Sequence, residues 1–324
     1  MLFLNEKDMR SAVTFSKVMD EVEDAYRLFA GGDFFMPHRP VVEHDGNTIL
    51  YMPCFAKGIF GTKFLTLFPE NPSRGLPYID GLMLLNDGDT GKTTAILDGS
   101  FLTALRTGAA GGVGVRRFSR PDAKNLGLIG AGKQGFYQAL YACESRKIEN
   151  IYIYDPVKKD FDAYIEGLTR ALKIKPDIHI CGDVAELLKK SDIVMIATTS
   201  QTPVVPDDPA LLKGKCFVAI GSYKPHMREL PNAIWQVAER CYTELPFACE
   251  ESGDLCQPLS DGIITKDRIS YMGDYFLENP KPLPPAPGET TYFKSVGMGL
   301  MDLCVADLIY QEALKKGIGQ ELAL

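Results

Sequence analysis

Apolar and polar positions follow two different periods along this chain, and the changes of period divide it. From Ser16 to Ala30, the residues Val18, Val22, Ala25, Tyr26 and Phe29 recur at helical spacing, and Gly31-Gly32 stops the run. Between residues 34 and 98 the pattern shortens. Thr48–Met52, Ile59–Phe68, Tyr78–Leu85 and Thr94–Leu97 are short runs rich in β-formers, separated by Gly, Pro, Asn and Asp, and they predict strands. Leu102–Arg116 then reads as a helix of small residues, with Gly and Ala on several faces. Glycine lowers helix stability but permits close approach of a neighbouring backbone, so tertiary contacts must hold this helix.

A turn at Ser119-Arg120-Pro121-Asp122 opens a third pattern. Asn125–Gly130 predicts an apolar strand, Lys133–Glu144 a helix, Ile151–Tyr154 a strand and Phe161–Leu172 a helix. Ile193–Ala197 and Cys216–Gly221 are further strands without a polar face. Strands that alternate with helices and have no wet side point to a parallel sheet covered on both faces. Residues 281–288, KPLPPAPG, read as a stiff extended linker. Phe293–Lys315 then reads as one long helix, and a linker so late in the chain suggests that this helix leaves the parallel-sheet domain. The segment 253–287 is ambiguous between a shaper of the cleft mouth and a simple connector.

Composition narrows the classes. The 324 residues suggest two domains. The 35 basic and 42 acidic residues leave a net charge of -7, which argues against nucleic acid or an anionic membrane as partner. No apolar run is long enough for a spanning helix, and the N-terminus, MLFLNEKDMR, lacks the basic start and apolar stretch of a signal peptide. The eight cysteines form no CxxC and the four histidines are scattered. The expectation is a cytoplasmic protein with reduced thiols and no metal site.

The strongest motif is Gly130-Ala131-Gly132-Lys133-Gln134-Gly135. It follows the strand NLGLI and opens a helix, and Asp155 ends the next strand, IYIY, about 20 residues further on. This is the Rossmann-type dinucleotide fingerprint. The first glycine makes the tight turn, the second admits the pyrophosphate, and the third lets helix and strand pack. The helix start offers N–H groups and partial positive charge to phosphates. A carboxylate at Asp155 accepts ribose hydroxyls and repels a 2′-phosphate, and no arginine adjoins it, so NAD is favoured over NADP. Lys158 and Lys159 are the nearby cations, with a solvated turn as their expected role.

A trio of cations marks the first region. Arg39 stands in MPHRP, Lys63 mid-strand in GTKFL, and Arg106 in the small-residue helix beside Thr103 and Thr107. Cations inside apolar elements require an anionic partner. The alternatives are internal salt bridges, charges that face solvent, and a substrate: two arginines clamp a carboxylate well, and a lysine alongside polarises a carbonyl or imine or moves a proton.

The runs GTKFLTLFPENPSRGLPYIDGLMLL, TGKTTAILDGSFLTALRTGAA, NLGLIGAGKQG, VMIATTSQTPVV, AIGSYKPHMREL, CEESGDL and FKSVGMGLMDL together resemble the ornithine cyclodeaminase/mu-crystallin family. The resemblance covers about residues 1 to 315, and Gly61 to Ala110 is its most specific part. It implies an α/β fold in which a Rossmann-type doubly wound parallel sheet (residues 120–292) is inserted in a smaller α+β substrate-binding and dimerisation domain (residues 1–119 and 293–324). Members generally dimerise through that domain's sheet. It assigns Arg39, Lys63 and Arg106 to the substrate carboxylate and reacting nitrogen, which lowers the weight of internal ion pairs. It assigns Thr107 to a cofactor phosphate, Gly130–Gly135 and Asp155 to the dinucleotide, and Thr198, Thr199 and Ile220 to strand ends beside the cofactor.

The chain departs from the cyclodeaminase subgroup at two positions. That subgroup carries an acidic residue in the loop after the Ala-Ile-Gly strand, where this chain has Tyr223, and another before a Met-Pro pair, where it has Leu50. Neither residue neutralises the second cation of a diamino acid. Tyr223 is either a proton donor or a wall of the pocket. The expected activity is therefore NAD(P)-linked reduction of a cyclic or α-imino acid, such as pyrroline-2-carboxylate, or interconversion of alanine with pyruvate and ammonia. The alternatives are an NAD-dependent cyclodeaminase acting on ornithine and a non-catalytic, mu-crystallin-like binding protein.

Overall fold

The computed structural model describes residues 1–323. In chain order its strands are β1 (Leu2–Leu4), β2 (Phe34–Phe35), β3 (Val41–His44), β4 (Asn47–Ala56), β5 (Ile59–Leu67), β6 (Ile79–Asp87), β7 (Thr93–Asp98), β8 (Asn125–Ile129), β9 (Asn150–Tyr154), β10 (Asp177–Ile180), β11 (Ile193–Ile196), β12 (Cys216–Ala219), β13 (Ala238–Thr243), β14 (Ile269–Tyr271), β15 (Thr290–Lys294) and β16 (Gln320–Glu321). The chain divides into two compact units, Met1–Arg106 with Met298–Leu324, and Thr107–Gly297. The division falls inside one helix, Gly99–Phe118. No helix among the described residues is long and apolar enough to cross a membrane.

The first unit is built on a mixed sheet of order β16-β1-β7-β6-β5-β4-β2, with β3 also paired to β4. Its strand β5 shows the alternation most clearly. In β5, Gly61, Lys63, Leu65 and Leu67 are buried, while the residues between them are half-buried. The helix Phe15–Gly31 packs on the helix Gly299–Lys316, which lies against β4, β5 and β6 on the inner face. The first of these starts on Thr14, whose hydroxyl accepts the Lys17 N–H, and stops at Gly32 with φ 75°. The other face carries aromatic pairs open to solvent, Tyr51 against Phe64 and Phe55 against Phe60. Strand β4 continues past Met52, where Pro53 had set its expected end. Pro53 pairs with Thr62 of β5 on one side, and on the other it falls between the stretches of β4 that pair with β3 and with β2. Its missing N–H therefore leaves no ladder bond unmade.

The second unit is an all-parallel sheet of order β10-β9-β8-β11-β12-β15-β13-β14. Successive residues of β11, β12 and β15 are all buried, so both faces are covered. The strand order reverses direction at β8, which has β9 on one side and β11 on the other. Ligands of such sheets bind at the carboxyl ends of the strands around that switch point.

The small-residue helix packs as its composition requires. A Cβ on Gly108 would lie 2.6 Å from the Tyr141 ring, one on Gly111 would lie 1.8 Å from Gln138 Oε1, and one on Gly114 would lie 2.5 Å from the Phe293 ring. Gln138 Nε2 in turn donates to the Thr107 carbonyl at 2.9 Å. Arg146 closes the helix end, donating to the carbonyls of Arg116, Ser119 and Arg120.

Two expectations are corrected here. Phe293 does not open the last helix: Thr290–Lys294 is a strand wholly buried between β12 and β13, and the helix starts only at Gly299. The Pro-rich 281–288 segment accordingly precedes the central strand β15 and is not where the chain leaves the parallel-sheet unit; that happens at Gly297–Met298. The ambiguous segment 253–287 contains helices Gly253–Ser260 and Met272–Glu278 and the edge strand β14.

Candidate active site

The glycine-rich loop follows β8 and leads into the helix Lys133–Ser145. Its three glycines are required for three different reasons. Gly130 has φ 99°, and a Cβ there would lie 2.5 Å from the Ala197 carbonyl. A Cβ on Gly135 would lie 2.0 Å from the Gly130 carbonyl, so this glycine closes helix onto loop. A Cβ on Gly132, in contrast, would meet no atom of another part of the chain within 4 Å. The loop is thus tight where the backbone turns and open where a ligand has to approach. No side chain caps the helix that starts at Gly132. Its first N–H groups are oriented for an anion such as a pyrophosphate.

Asp155 ties the end of β9 to this loop. Its Oδ2 accepts the Ala131 N–H at 2.8 Å, and Oδ1 accepts those of Val157 and Lys158 at 2.9 and 3.0 Å. Partial burial pushes its pKa up, but the three backbone donors outweigh this and hold it below the ordinary carboxylate value. The residue is a fixed anion beside the loop.

The next two strand ends are held by a network that the sequence patterns do not reveal. Glu229 is wholly buried. Its Oε1 accepts the Thr198 N–H at 2.7 Å and the Thr198 hydroxyl at 2.9 Å. Its Oε2 accepts the N–H groups of Gly221 at 2.7 Å and Ser222 at 3.1 Å. One carboxylate therefore fixes the loops after both β11 and β12. Lys294 Nζ stands 3.2 Å from Asp254 Oδ2 and 3.6 Å from Glu229 Oε2, with all three side chains fully buried. Asp254 Oδ1 accepts the backbone N–H groups of Glu229 and Leu230. Burial raises the Glu229 pKa, with Lys294 opposing and Asp254 adding to the rise. Nothing in the sequence marks these three charges, because MREL, SGDL and FKS each mix apolar with polar or charged residues.

In the first unit the structure brings Lys63 and Arg106 together on an acid. Lys63 points inward from β5, and its Nζ donates to Asp302 Oδ1 at 2.7 Å. Arg106 Nε donates to the same oxygen at 2.9 Å. Lys63 and Asp302 are wholly buried and the Arg106 side chain is 8% exposed. Burial pushes the Lys63 pKa down to about 7; Asp302 opposes this, while Arg106 and Arg39 add to it. Arg39 is half-buried and close enough to be felt by Lys63. An internal carboxylate, the partner that the family resemblance had made the lesser alternative, is thus present. Asp302 carries no signal of its own in the sequence because it lies 239 residues from Lys63, in the apolar helical run GLMDLCVADLI.

The remaining expected residues lie in the second unit. Thr107 and Ile220 are buried, Thr198 is half-buried and Thr199 is exposed. Tyr223 is half-buried in the loop after β12, one residue beyond the anchored Ser222. Leu50 belongs to the first unit, on β4, paired with Leu65 and Val41.

A family model described as the ornithine cyclodeaminase/mu-crystallin family matches residues 1–317. The chain belongs to this family. A curated relative, the Delta(1)-pyrroline-2-carboxylate reductase of Bacillus cereus, is 31% identical over 329 residues, covering 99% of each chain. Among solved structures, Thermococcus litoralis Delta(1)-pyrroline-2-carboxylate reductase, in complex with NADH and L-proline, superposes with a TM-score of 0.91. It is 32% identical, over 99% of this chain and 100% of that one. An archaeal alanine dehydrogenase dimer with bound NAD has a TM-score of 0.90 and 27% identity, over 100% of this chain and 99% of that one.

Proposed function

We propose that this family member is an oxidoreductase acting on the C=N bond of a small cyclic or α-imino acid, with NADH as the reductant. The observation that carries the reading is the buried Lys63–Asp302–Arg106 cluster, which stores two cations and one anion inside an apolar core. Such a cluster costs folding energy and suits a ligand with one carboxylate and one reacting nitrogen. The reductase and dehydrogenase names of the full-length relatives support it.

The dinucleotide would be held by Gly130, Ala131, Gly132, Lys133, Gln134 and Gly135, by Asp155 at the ribose, and by Thr107, Thr198, Thr199 and Ile220. When bound, a reduced nicotinamide supplies a hydride. This chain's own residues do the rest. Arg106 and Arg39 bind the substrate carboxylate and fix its orientation. Lys63, whose pKa lies near neutrality, holds a proton at Nζ for the substrate nitrogen. The anion at Asp155 favours NADH over NADPH. Leu50 and Tyr223 offer no charge to a distal amine, which disfavours ornithine.

The test is a screen of NADH and NADPH oxidation with pyrroline-2-carboxylate, larger cyclic imines, and keto acids with ammonia. Ammonia release from ornithine and lysine is followed in parallel. Rapid NADH oxidation with one imine is expected. Ammonia release from ornithine without net change in NADH would replace this reading with a cyclodeaminase, and ligand binding without turnover would replace it with a binding protein.

We further propose a homodimer formed through the outer face of the first unit's sheet. Phe35, Tyr51, Phe55 and Leu82 are each more than 40% exposed there, and such an apolar patch marks an interface. Phe55→Glu with Tyr51→Glu is expected to halve the mass in sedimentation; an unchanged mass would rule this face out.

A further inference from the structure

Asp302 accepts two donors on a single oxygen. Lys63 Nζ and Arg106 Nε both meet Oδ1, while Oδ2 is buried with no hydrogen-bond partner. An unpartnered buried carboxylate oxygen is costly, and an arrangement made only for stability would satisfy it. The geometry instead grips each cation by one edge. The Arg106 guanidinium is engaged through Nε, which leaves its Nη edge, the one suited to a bidentate carboxylate, for another partner. The Lys63 ammonium has three hydrogens and spends one on Asp302.

We propose that Asp302 is the positioning residue of the reaction: it fixes Lys63 Nζ and the Nε edge of Arg106 so that the other lysine hydrogens and the Nη edge are presented to the substrate's nitrogen and carboxylate. The assignment rests on the reductase reading for the identity of that substrate, and on geometry alone for the grip. The charged and titratable groups facing the cluster are Arg106, Arg39 and, from β4, the Cys54 thiol, whose own pKa burial pushes up to about 12. At neutral pH that thiol is uncharged, so Asp302 is the anion that keeps a proton on Lys63.

Asp302→Asn keeps the shape and removes the charge; Asp302→Glu keeps the charge and displaces it. The Lys63 side chain is titrated by NMR of lysine labelled at Cε and assigned by its loss in Lys63→Met. This readout needs no turnover. In D302N the midpoint is expected to fall by about one unit or more, since the attraction that opposes burial is gone, and in D302E to stay close to wild type. In the reductase assay, D302N is expected to lose about 100-fold in kcat/KM, the cost of a misplaced catalytic group. The alkaline limb of its kcat profile should move to lower pH together with the midpoint. An unmoved midpoint in a folded D302N, or wild-type kcat and KM, would overturn the assignment. If wild-type protein reduces no imine, the reductase reading fails, and the titration still decides whether Asp302 holds Lys63.

Discussion

Lys63→Met is expected to remove turnover and to leave dinucleotide binding intact. Lys63 occupies a core-facing position of β5, between Met52 and Met83 on the neighbouring strands. Methionine replaces the lysine stem at similar volume and adapts to an apolar site. Asp302 keeps its bond to Arg106, so the substitution does not strand a buried anion. What is lost is the proton held at Nζ, and removal of a positioned acid or base costs about 10² to 10⁴-fold in rate. The measurements are kcat with the best imine and the NADH affinity by fluorescence titration. Near-normal kcat would exclude Lys63 from the chemistry. The same group gives stability a direction with pH. Its folded pKa, about 7, lies below its ordinary value of 10.5. The unfolded chain therefore binds the extra proton between those values, and this group's penalty on folding, full below pH 7, is relieved as pH rises through that window.

The second large effect separates the glycines of the loop. Gly135→Ala places a methyl 2.0 Å from the Gly130 carbonyl, so helix and loop must part. Overpacking of this kind costs about 1–3 kcal/mol, and the loop that meets the phosphates is displaced. Both a lower Tm and a loss of NADH binding are expected. Gly132→Ala meets no atom of another part of the chain within 4 Å and has φ -91°, which alanine adopts freely. Its Tm is expected to match wild type while its NADH affinity falls by at least about tenfold, because the new methyl occupies space that only a ligand needs. Wild-type affinity in Gly132→Ala would show that nothing binds against that glycine.

This contrast also shows what was legible in the sequence. Gly130, Gly135 and Asp155 announce themselves because their constraint is local: a turn, a helix start and the end of the next strand lie within about 30 residues of chain. The parallel sheet was legible from strands with no polar face. Lys63 was legible as a cation in a core-facing position, but its partner was not. Asp302 comes from a helix at the other end of the chain, and nothing in a single sequence pairs the two. The Glu229–Asp254–Lys294 network was hidden for the same reason, being drawn from three separated segments. The strand Thr290–Lys294 shows no apolar run in the sequence: TTYFK holds two threonines and a lysine, and only the fold reveals that all five residues are buried. Pro53 misled in the opposite direction: it signals the end of a strand that in the fold continues, because its nitrogen faces a gap between two partner strands.

The central claim is that hydride passes from NADH to the α-carbon of an imino acid whose carboxylate is held by Arg106 and whose nitrogen is served by Lys63. It is tested most directly by following the label from NADH deuterated at C4, prepared separately in each configuration. With pyrroline-2-carboxylate as acceptor, one of the two is expected to yield proline carrying deuterium at Cα, and the other unlabelled proline. Absence of deuterium at Cα from both, in a protein that binds NADH and the imino acid, would contradict the account.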